Sequence, residues 1–392
     1  MTQGGDVAFT RPVVTPEARA AAVHSLESGW LTSGPECAAF EAEFATWLGA
    51  REAVAVSSCT AAIELSLRAM HLRPGSLVLV PAITFCGVTQ AVRHAGHVPV
   101  VVDVDAATAS MSAETVRHAS RAVGGADALV VLHYAGTPAP VDELADAAGI
   151  PLARVVEDAA HAIGTWAGGR RTGSGSRAAC FSFYATKNLP VGEGGMVATD
   201  DPELADTIRS ARLHGMSRDA WRRYAPGGSW RYDVVEDGIK ANLPDVAAAV
   251  GRVHLRCVDE WQDRRTAIAR SYERALAAVP GLVLPEEPVD GRHAWHLYVV
   301  RVTDTAATTR DELSNRLALG GIGTSVHFIP LHHLTYTRKT TVRPVPLSGA
   351  DAAFSELLSL PMYPALTDDQ VDFVCSSVAR VLSPAQNREV LA

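Results

Sequence analysis

One lysine, Lys187, stands just past the aromatic, apolar run Cys180-Phe181-Ser182-Phe183-Tyr184, and the chain then turns through Pro190-Val191-Gly192-Glu193-Gly194-Gly195. The run reads as a buried strand, and the Gly/Pro-punctuated loop lets backbone approach a ligand closely. A lysine drawn into such a place loses its proton readily, becomes a nucleophile and forms Schiff bases with aldehydes. A second apolar run, Arg154-Val155-Val156-Glu157-Asp158, ends in a carboxylate and leads to Ala159-Ala160-His161. An amine for an aldehyde and an acid for a pyridine nitrogen are the two groups that pyridoxal 5'-phosphate (PLP) requires. Asp158 would keep that nitrogen protonated, so that the ring can absorb a carbanion's electrons. Either residue alone reads as surface charge; each placed just after an apolar strand, the two make a cofactor clamp.

A phosphate needs its own cradle. Ser57-Ser58-Cys59-Thr60-Ala61-Ala62 joins the short apolar run Ala53 to Val56 to a helical pattern from Ile63 to Met70. A small, polar turn at a helix start offers free amides and a favourable dipole to an anion. The segment is no P-loop, lacking the G-x-x-x-x-G-K spacing, and ordinary N-capping is its alternative reading.

The elements that must position these groups alternate. Apolar runs at Leu77 to Val80, Val98 to Val102 and Ala128 to Leu132 are separated by helical patterns, such as Val141 to Gly149. This predicts an α/β fold: a mostly parallel sheet with helices on both faces, whose ligand gathers at the carboxyl ends of the strands. Thr15-Pro16-Glu17 reads as a helix start, and a second amphipathic helix runs through Phe40, Phe44 and Leu48. Leu243-Pro244-Asp245 opens a helix through Val258, and another, from about Gln262 to Val279, carries the chain into a smaller α+β domain. Strands are expected there at Trp295 to Val302 and Thr324 to Phe328, with a closing helix from Asp368 to Leu382. The division is a PLP-binding domain over residues 1–255 and a small C-terminal domain over 256–392, with the N-terminal segment able to pack on the latter.

Bulk properties narrow the function. Of 392 residues, 47% are hydrophobic and 20% charged, which is an ordinary globular balance. A net charge of −8 argues against a broad nucleic-acid surface. The six cysteines form no C-x-x-C pair, which points to a reducing cytoplasm rather than a disulfide framework or zinc ribbon. No signal-peptide core or membrane-length apolar run is seen. His293-Ala294-Trp295-His296 invites a metal reading, but it lies in an apolar strand without a carboxylate or cysteine partner, so no metal site is expected. His327 and the His332-His333 pair read as substrate contacts or local structure. The stretch Leu213 to Asn242 interleaves Arg218, Trp221, Arg222, Arg223, Trp230 and Arg231 with Gly227-Gly228. It reads either as a solvated loop or as an Arg fork for a diphosphate with a ring to stack a base.

Taken together, Ser57 to Ala62, Glu157 to Ala162, Phe181 to Asn188 and Gly192 to Gly195 resemble the PLP-dependent nucleotide-sugar aminotransferases of the DegT type. The likeness extends over nearly the whole chain, through Phe9-Thr10-Arg11-Pro12, Ser28 to Pro35, His133 to Gly136, Gly321 to Phe328 and Leu360 to Pro364. The resemblance implies the aspartate-aminotransferase fold, with Lys187 as the Schiff-base lysine and Asp158 as the pyridine-nitrogen partner. It also implies Phe85 stacked on the ring, His161 near its hydroxyl, the Thr60 and Ala61 amides with the Ser182 hydroxyl on the phosphate, and Asn242 reaching the phosphate of a neighbouring subunit. A homodimer with shared sites follows. So does transfer of an amino group from an amino acid, by family habit glutamate, to a nucleotide-linked keto sugar. Thr32, His327 and the Arg/Trp-rich loop are the candidate sugar-nucleotide contacts.

Within that family, C3 enzymes tend to read Gly-Asp-Gly-Gly after the lysine. This chain has Gly192-Glu193-Gly194-Gly195, which implies amination at C4. A 3-keto sugar, a cyclitol or aminoshikimate-type ketone, and a PLP-holding regulatory protein are the alternatives. The last would bring a basic DNA-binding segment, which the sequence lacks.

Overall fold

A computed structural model describes residues 6–217 and 231–383. Seven strands form the main sheet: β1 (Glu52–Val56), β2 (Leu77–Pro81), β3 (Val98–Val102), β4 (Ala128–Leu132), β5 (Val155–Asp158), β8 (Ala179–Ser182) and β9 (Gly195–Thr199). Between β5 and β8 lie two short strands, β6 (Trp166–Ala167) and β7 (Arg170–Arg171). The order across the sheet is β1-β9-β8-β5-β4-β2-β3. From β8 to β3 every pairing is parallel, and β9 runs antiparallel to both β8 and β1. Helices cover both faces, so the strands are buried on both sides and read as near-continuous Val/Leu runs.

The first eight helices are α1 (Pro16–Glu27), α2 (Pro35–Leu48), α3 (Cys59–Ala69), α4 (Gly87–His94), α5 (Ala113–Ala122), α6 (Val141–Ala148), α7 (Pro202–Ala211) and α8 (Asp245–Leu276). Thr15 caps α1 and Pro16 opens it, as the sequence predicts. Helix α3 is buried nearly all round because it is wedged among β8, β9, α4 and α7. On β8 the two-residue period separates the faces. Phe181 and Phe183 meet Phe44 and Phe40 of α2, while Cys180 contacts Ser66 of α3.

The rest of the chain holds strands β10 (Leu282–Val283), β11 (Gly291–Arg292), β12 (Tyr298–Val302) and β13 (Leu357–Leu360). Its helices are α9 (Arg310–Leu319), α10 (Thr335–Thr340), α11 (Ser348–Glu356) and α12 (Asp368–Leu382). Strands β10, β12 and β13 form an antiparallel sheet, and β11 joins β6 and β7. A second core collects Ile268, Tyr272 and Leu276 of α8 with Tyr298, Val300, Leu313 and Val374. Val7 joins it, exchanging backbone hydrogen bonds with Gly321 and Gly323.

Two expectations differ from the structure. The predicted pair of helices across residues 245–279 is one helix of 32 residues, α8, because Asp259-Glu260-Trp261 contains no Gly or Pro to break it. Its side chains change core instead: Leu255 and Val258 pack with Phe40 and Phe44, Ile268 and Tyr272 with the second core. The predicted strand from Thr324 to Phe328 is absent. Only Ser325 pairs, exchanging both amide hydrogen bonds with Ser359 on β13, and the chain then departs to carry His327 and Phe328 into a cavity. Among the described residues, no helix is long and apolar enough to cross a membrane.

Candidate active site

The carboxyl ends of the strands surround a cavity of about 470 Å³. Asp158 ends β5 and Ser182 ends β8; Ser58 and Thr60 open α3 after β1, and Thr84 and Phe85 follow β2. All of these line the cavity, together with His161, Lys187, Glu193, His296, His327 and Phe328. Seven of the residues singled out in the sequence therefore meet: Thr60, Phe85, Asp158, His161, Ser182, Lys187 and His327.

Lys187 is held by a folded-back loop. Its amide donates to the Tyr184 carbonyl (2.9 Å), Val191 donates to Phe183 (2.9 Å), and Phe183 donates to Gly194 (2.9 Å). Burial pushes the lysine pKa down to about 8, against the pull of the Asp158 and Cys59 charges. A substantial fraction of the amine is therefore neutral near physiological pH. Asp158 is driven the opposite way by burial, with the Ala160 amide (3.1 Å to Oδ1) and then the Lys187 charge opposing the rise. Amine and carboxylate thus support each other's charged forms in a desolvated space.

Behind Asp158 stands a second buried pair. His133 Nε2 lies 2.9 Å from Glu157 Oε2, and His133 Nδ1 accepts the Ala139 amide (3.0 Å). The neutral imidazole therefore carries its hydrogen on Nε2 and donates it to Glu157. Burial pushes Glu157 up, but the His133 and Ser176 hydrogen bonds outweigh it and hold the carboxyl below its usual range.

His161 is read by the same logic. Its Nδ1 accepts the Ala135 amide (3.2 Å), so the neutral ring carries its hydrogen on Nε2, free for an acceptor in the cavity. Burial first, then the Lys187 and His327 charges, hold its pKa well below the usual value. Phe85 is 59% exposed and tilts toward Phe328, with ring centroids 6.2 Å apart, leaving an aromatic face open to the cavity.

The start of α3 is pressed against β9. A Cβ on Gly195 would fall 2.5 Å from the Ser58 carbonyl carbon and 2.7 Å from the Cys59 nitrogen. Both the capping and the anion readings of this turn have a basis. Ser58 Oγ accepts the Ala61 amide (3.1 Å), so the expected Ala61 donor is already engaged by the cap. The Cys59 and Thr60 amides precede the first acceptor of the helix and face its positive end.

Thr32 and Asn242 do not line this cavity. Asn242 Nδ2 lies 2.8 Å from Ser33 Oγ and 3.4 Å from Thr32 Oγ1, so the two form a separate cluster. His332 and His333 are also elsewhere, each with Nε2 2.8 Å from Asp351 Oδ1 at the start of α11. Those three residues could offer a metal three ligand atoms; of the two readings of the histidines, their bonds to Asp351 outside the cavity favour local structure. Of the Arg/Trp-rich stretch, residues 218–230, with Arg218, Trp221, Arg222, Arg223 and Trp230, lie outside the described residues. In the sequence His296 invites only a metal reading, set aside for want of a carboxylate or cysteine partner; in the structure it lines the cavity, 3.4 Å from Lys187 Nζ.

The donor set and the cradle fit PLP: a partly neutral lysine, a buried carboxylate, an open aromatic face and a helix start that glycine alone lets β9 approach. Comparisons with known proteins agree. The chain is 42% identical over 380 residues to the spore coat polysaccharide biosynthesis protein SpsC of Bacillus subtilis, covering 96% of this chain and 97% of that one. S. venezuelae DesV, solved in complex with a ketimine intermediate, superposes with a TM-score of 0.83 at 36% identity, covering 94% of each chain. The PLP form of Spr1654 from Streptococcus pneumoniae superposes with a TM-score of 0.87 at 27% identity, covering 96% of this chain and all of that one. The model of the DegT/DnrJ/EryC1/StrS aminotransferase family matches residues 12–379, and the chain belongs to that family.

Proposed function

We propose that the protein is a cytoplasmic, PLP-dependent sugar aminotransferase. It moves an amino group from an amino acid, glutamate by preference, to the C4 keto group of a nucleotide-linked sugar. The observation that carries this reading is Lys187, with its pKa pushed down to about 8, sharing one desolvated cavity with Asp158. The sugar reading draws on SpsC, whose name places it in polysaccharide biosynthesis. The C4 assignment draws on Gly192-Glu193-Gly194-Gly195, which puts Glu193 at the cavity wall.

When bound, PLP supplies an aldehyde for the incoming amine and an electron-withdrawing ring that stabilises a carbanion beside the nitrogen. The chain's residues do the rest. Asp158 would hold the ring nitrogen's proton, His161 Nε2–H would serve the ring hydroxyl, and Phe85 would stack on the ring. The Thr60 amide and the Ser58 and Ser182 hydroxyls would hold the phosphate at the α3 start. Lys187 Nζ would anchor the aldehyde and, as the free amine, would take a proton from one carbon and return it to the next. His327 and Thr32 are assigned to the sugar nucleotide, Asn242 to the partner subunit's phosphate. In this reading residues 1–255 form the cofactor domain and 256–392 the small domain.

The test begins with the visible absorption of the purified protein, which should show bound PLP and change when glutamate is added. Matched 3-keto and 4-keto nucleotide sugars and a ketocyclitol are then offered, and the nitrogen is located by NMR. Absence of cofactor absorption overturns the aminotransferase reading. Exclusive amination at C3, or turnover with the ketocyclitol alone, overturns the C4 assignment.

A further inference from the structure

Beside Lys187 runs a chain of hydrogen bonds that begins at its sequence neighbour. Asn188 Nδ2 donates to two carbonyls, those of Ile163 (3.1 Å) and Ala294 (2.9 Å). Its Oδ1 therefore faces His296 Nδ1, at 3.1 Å. An amide oxygen only accepts, so the imidazole Nδ1 must carry the hydrogen. The neutral ring then presents a bare Nε2, and that atom lies 3.4 Å from Lys187 Nζ.

We propose that His296, locked by Asn188 with its hydrogen on Nδ1, is a positioning residue whose bare Nε2 accepts a hydrogen bond from Lys187 Nζ and supports the ammonium form of that lysine. The inference rests on Lys187 being the base of the proposed reaction. In that step the neutral amine takes the proton of a C–H bond and becomes an ammonium, while the electron pair stays on carbon. The proton is later returned, so no outside oxidant or reductant enters. The acceptor at Nε2 matters when the new positive charge forms in a space with little water.

The charges around the pair favour this assignment. Lys187 is faced by Asp158 from β5 and Cys59 from α3, and its charge acts on His161, His296 and His327. Arg265 of α8 stands behind His296, donating to the carbonyls of Trp295 (2.9 Å) and Met362 (3.0 Å). Burial and then the charges of Lys187, His161, Arg265 and His327 hold the His296 pKa well below its usual value. The ring therefore stays neutral and remains an acceptor. An acceptor on Nζ favours the charged lysine and partly offsets its burial.

The test uses the full-length protein freed of cofactor. Formaldehyde with a mild hydride donor methylates Lys187 at a rate set by its neutral fraction, and the Lys187 peptide is followed by mass across pH. His296→Phe keeps the ring but loses the acceptor, and should move the midpoint down by about one pH unit. His296→Gln places an amide oxygen near the Nε2 position and should return the midpoint to the wild-type value. A midpoint unchanged or raised in His296→Phe, or failure of His296→Gln to restore it, overturns the proposal. Nitrogen NMR of the wild-type protein provides a test that needs no folded variant. His296 should show a protonated Nδ1 and a bare Nε2 at neutral pH; the opposite tautomer, or an imidazolium, overturns the lock. Neither measurement requires PLP or turnover, so either can fail while cofactor absorption and amination stand, and the reverse.

Discussion

Gly195 and Ser58 touch backbone to backbone: a Cβ on the glycine would lie 2.5 Å from the Ser58 carbonyl carbon and 2.7 Å from its oxygen. The start of β9 therefore lies directly beneath the start of α3, and the proposed phosphate cradle is shaped by what Gly195 lacks. Gly195→Ala cannot be absorbed by rotating a side chain, because the atoms it meets are main chain. Overpacking of this kind costs about 1–3 kcal/mol. The variant should show a lower Tm and a weaker PLP affinity, both measured by titrating PLP into the cofactor-free protein. An affinity equal to wild type would detach the cradle from this contact.

Lys187 gives a prediction about stability as well as chemistry. Its folded pKa of about 8 lies below the ordinary 10.5, so between those values the unfolded chain holds a proton that the folded chain lacks. Folding stability should therefore rise with pH across that window, and the burial penalty is fully present below it. Lys187→Met removes the penalty. In the cofactor-free protein it should raise folding stability at pH 7, and Tm with it, by at most about 3 kcal/mol less what Asp158 forfeits with its counter-charge. The gain should shrink as pH climbs toward the ordinary lysine value, while turnover falls by several orders of magnitude. A Tm difference that does not vary between pH 7 and 10 would refute the buried, depressed amine.

How much of this was legible in the sequence follows from range. Lys187, Asp158 and the turn that holds Thr60 were visible because each ends or follows an apolar run, and strand ends in such sheets converge on one edge, whereas Ser182 came only with the family resemblance. The interleaving of strands and helices made the main sheet legible too. His296 was not, since its partners are Lys187 and Asn188, 109 and 108 residues away, and its local neighbours have a core composition. The same holds for the expected Thr324 to Phe328 strand. Only Ser325 finds an edge to pair with, and the cavity claims residues that follow. The continuity of α8 was not legible because its apolar residues serve two different cores, and a helix passing between two cores changes face without stopping.

Glu157 and His133 give an acid-limb prediction. Glu157 is held below its usual pKa, so its contribution to stability is present above about 4.5 and is lost as pH falls through the lower, folded value. Glu157→Gln keeps the shape but loses the charge opposite His133 Nε2–H and Ser176. Breaking a buried charge-assisted pair costs about 2–4 kcal/mol. Thermal melts across pH should show the variant less stable than wild type at pH 7, with the two curves converging at acid pH, below the ordinary carboxylate range, as Glu157 takes up its proton. Parallel curves would mean that the carboxylate charge is not what this pair contributes.

The cluster of Asn242, Ser33 and Thr32 stands apart from the cavity of its own chain, although the proposed role of Asn242 is to hold a phosphate. The two facts are reconciled if Asn242 serves the cavity of a second copy, which makes a complementation experiment decisive. If the proposed homodimer forms, Lys187→Ala and Asn242→Ala, each alone, place one lesion in every site. When the two variants are mixed and allowed to exchange subunits, half the dimers are mixed. In a mixed dimer with shared sites, both lesions fall in one site and the other site is intact. Activity should then recover to roughly a quarter of the wild-type value at equal total protein, from the statistics of a symmetric two-site dimer. If Asn242 served only its own chain, each mixed dimer would carry one lesion per site and nothing would be regained. Mass spectrometry of the intact assembly confirms that exchange has taken place, so an activity that stays at the sum of the two variants in an exchanged sample removes Asn242 from the neighbouring site.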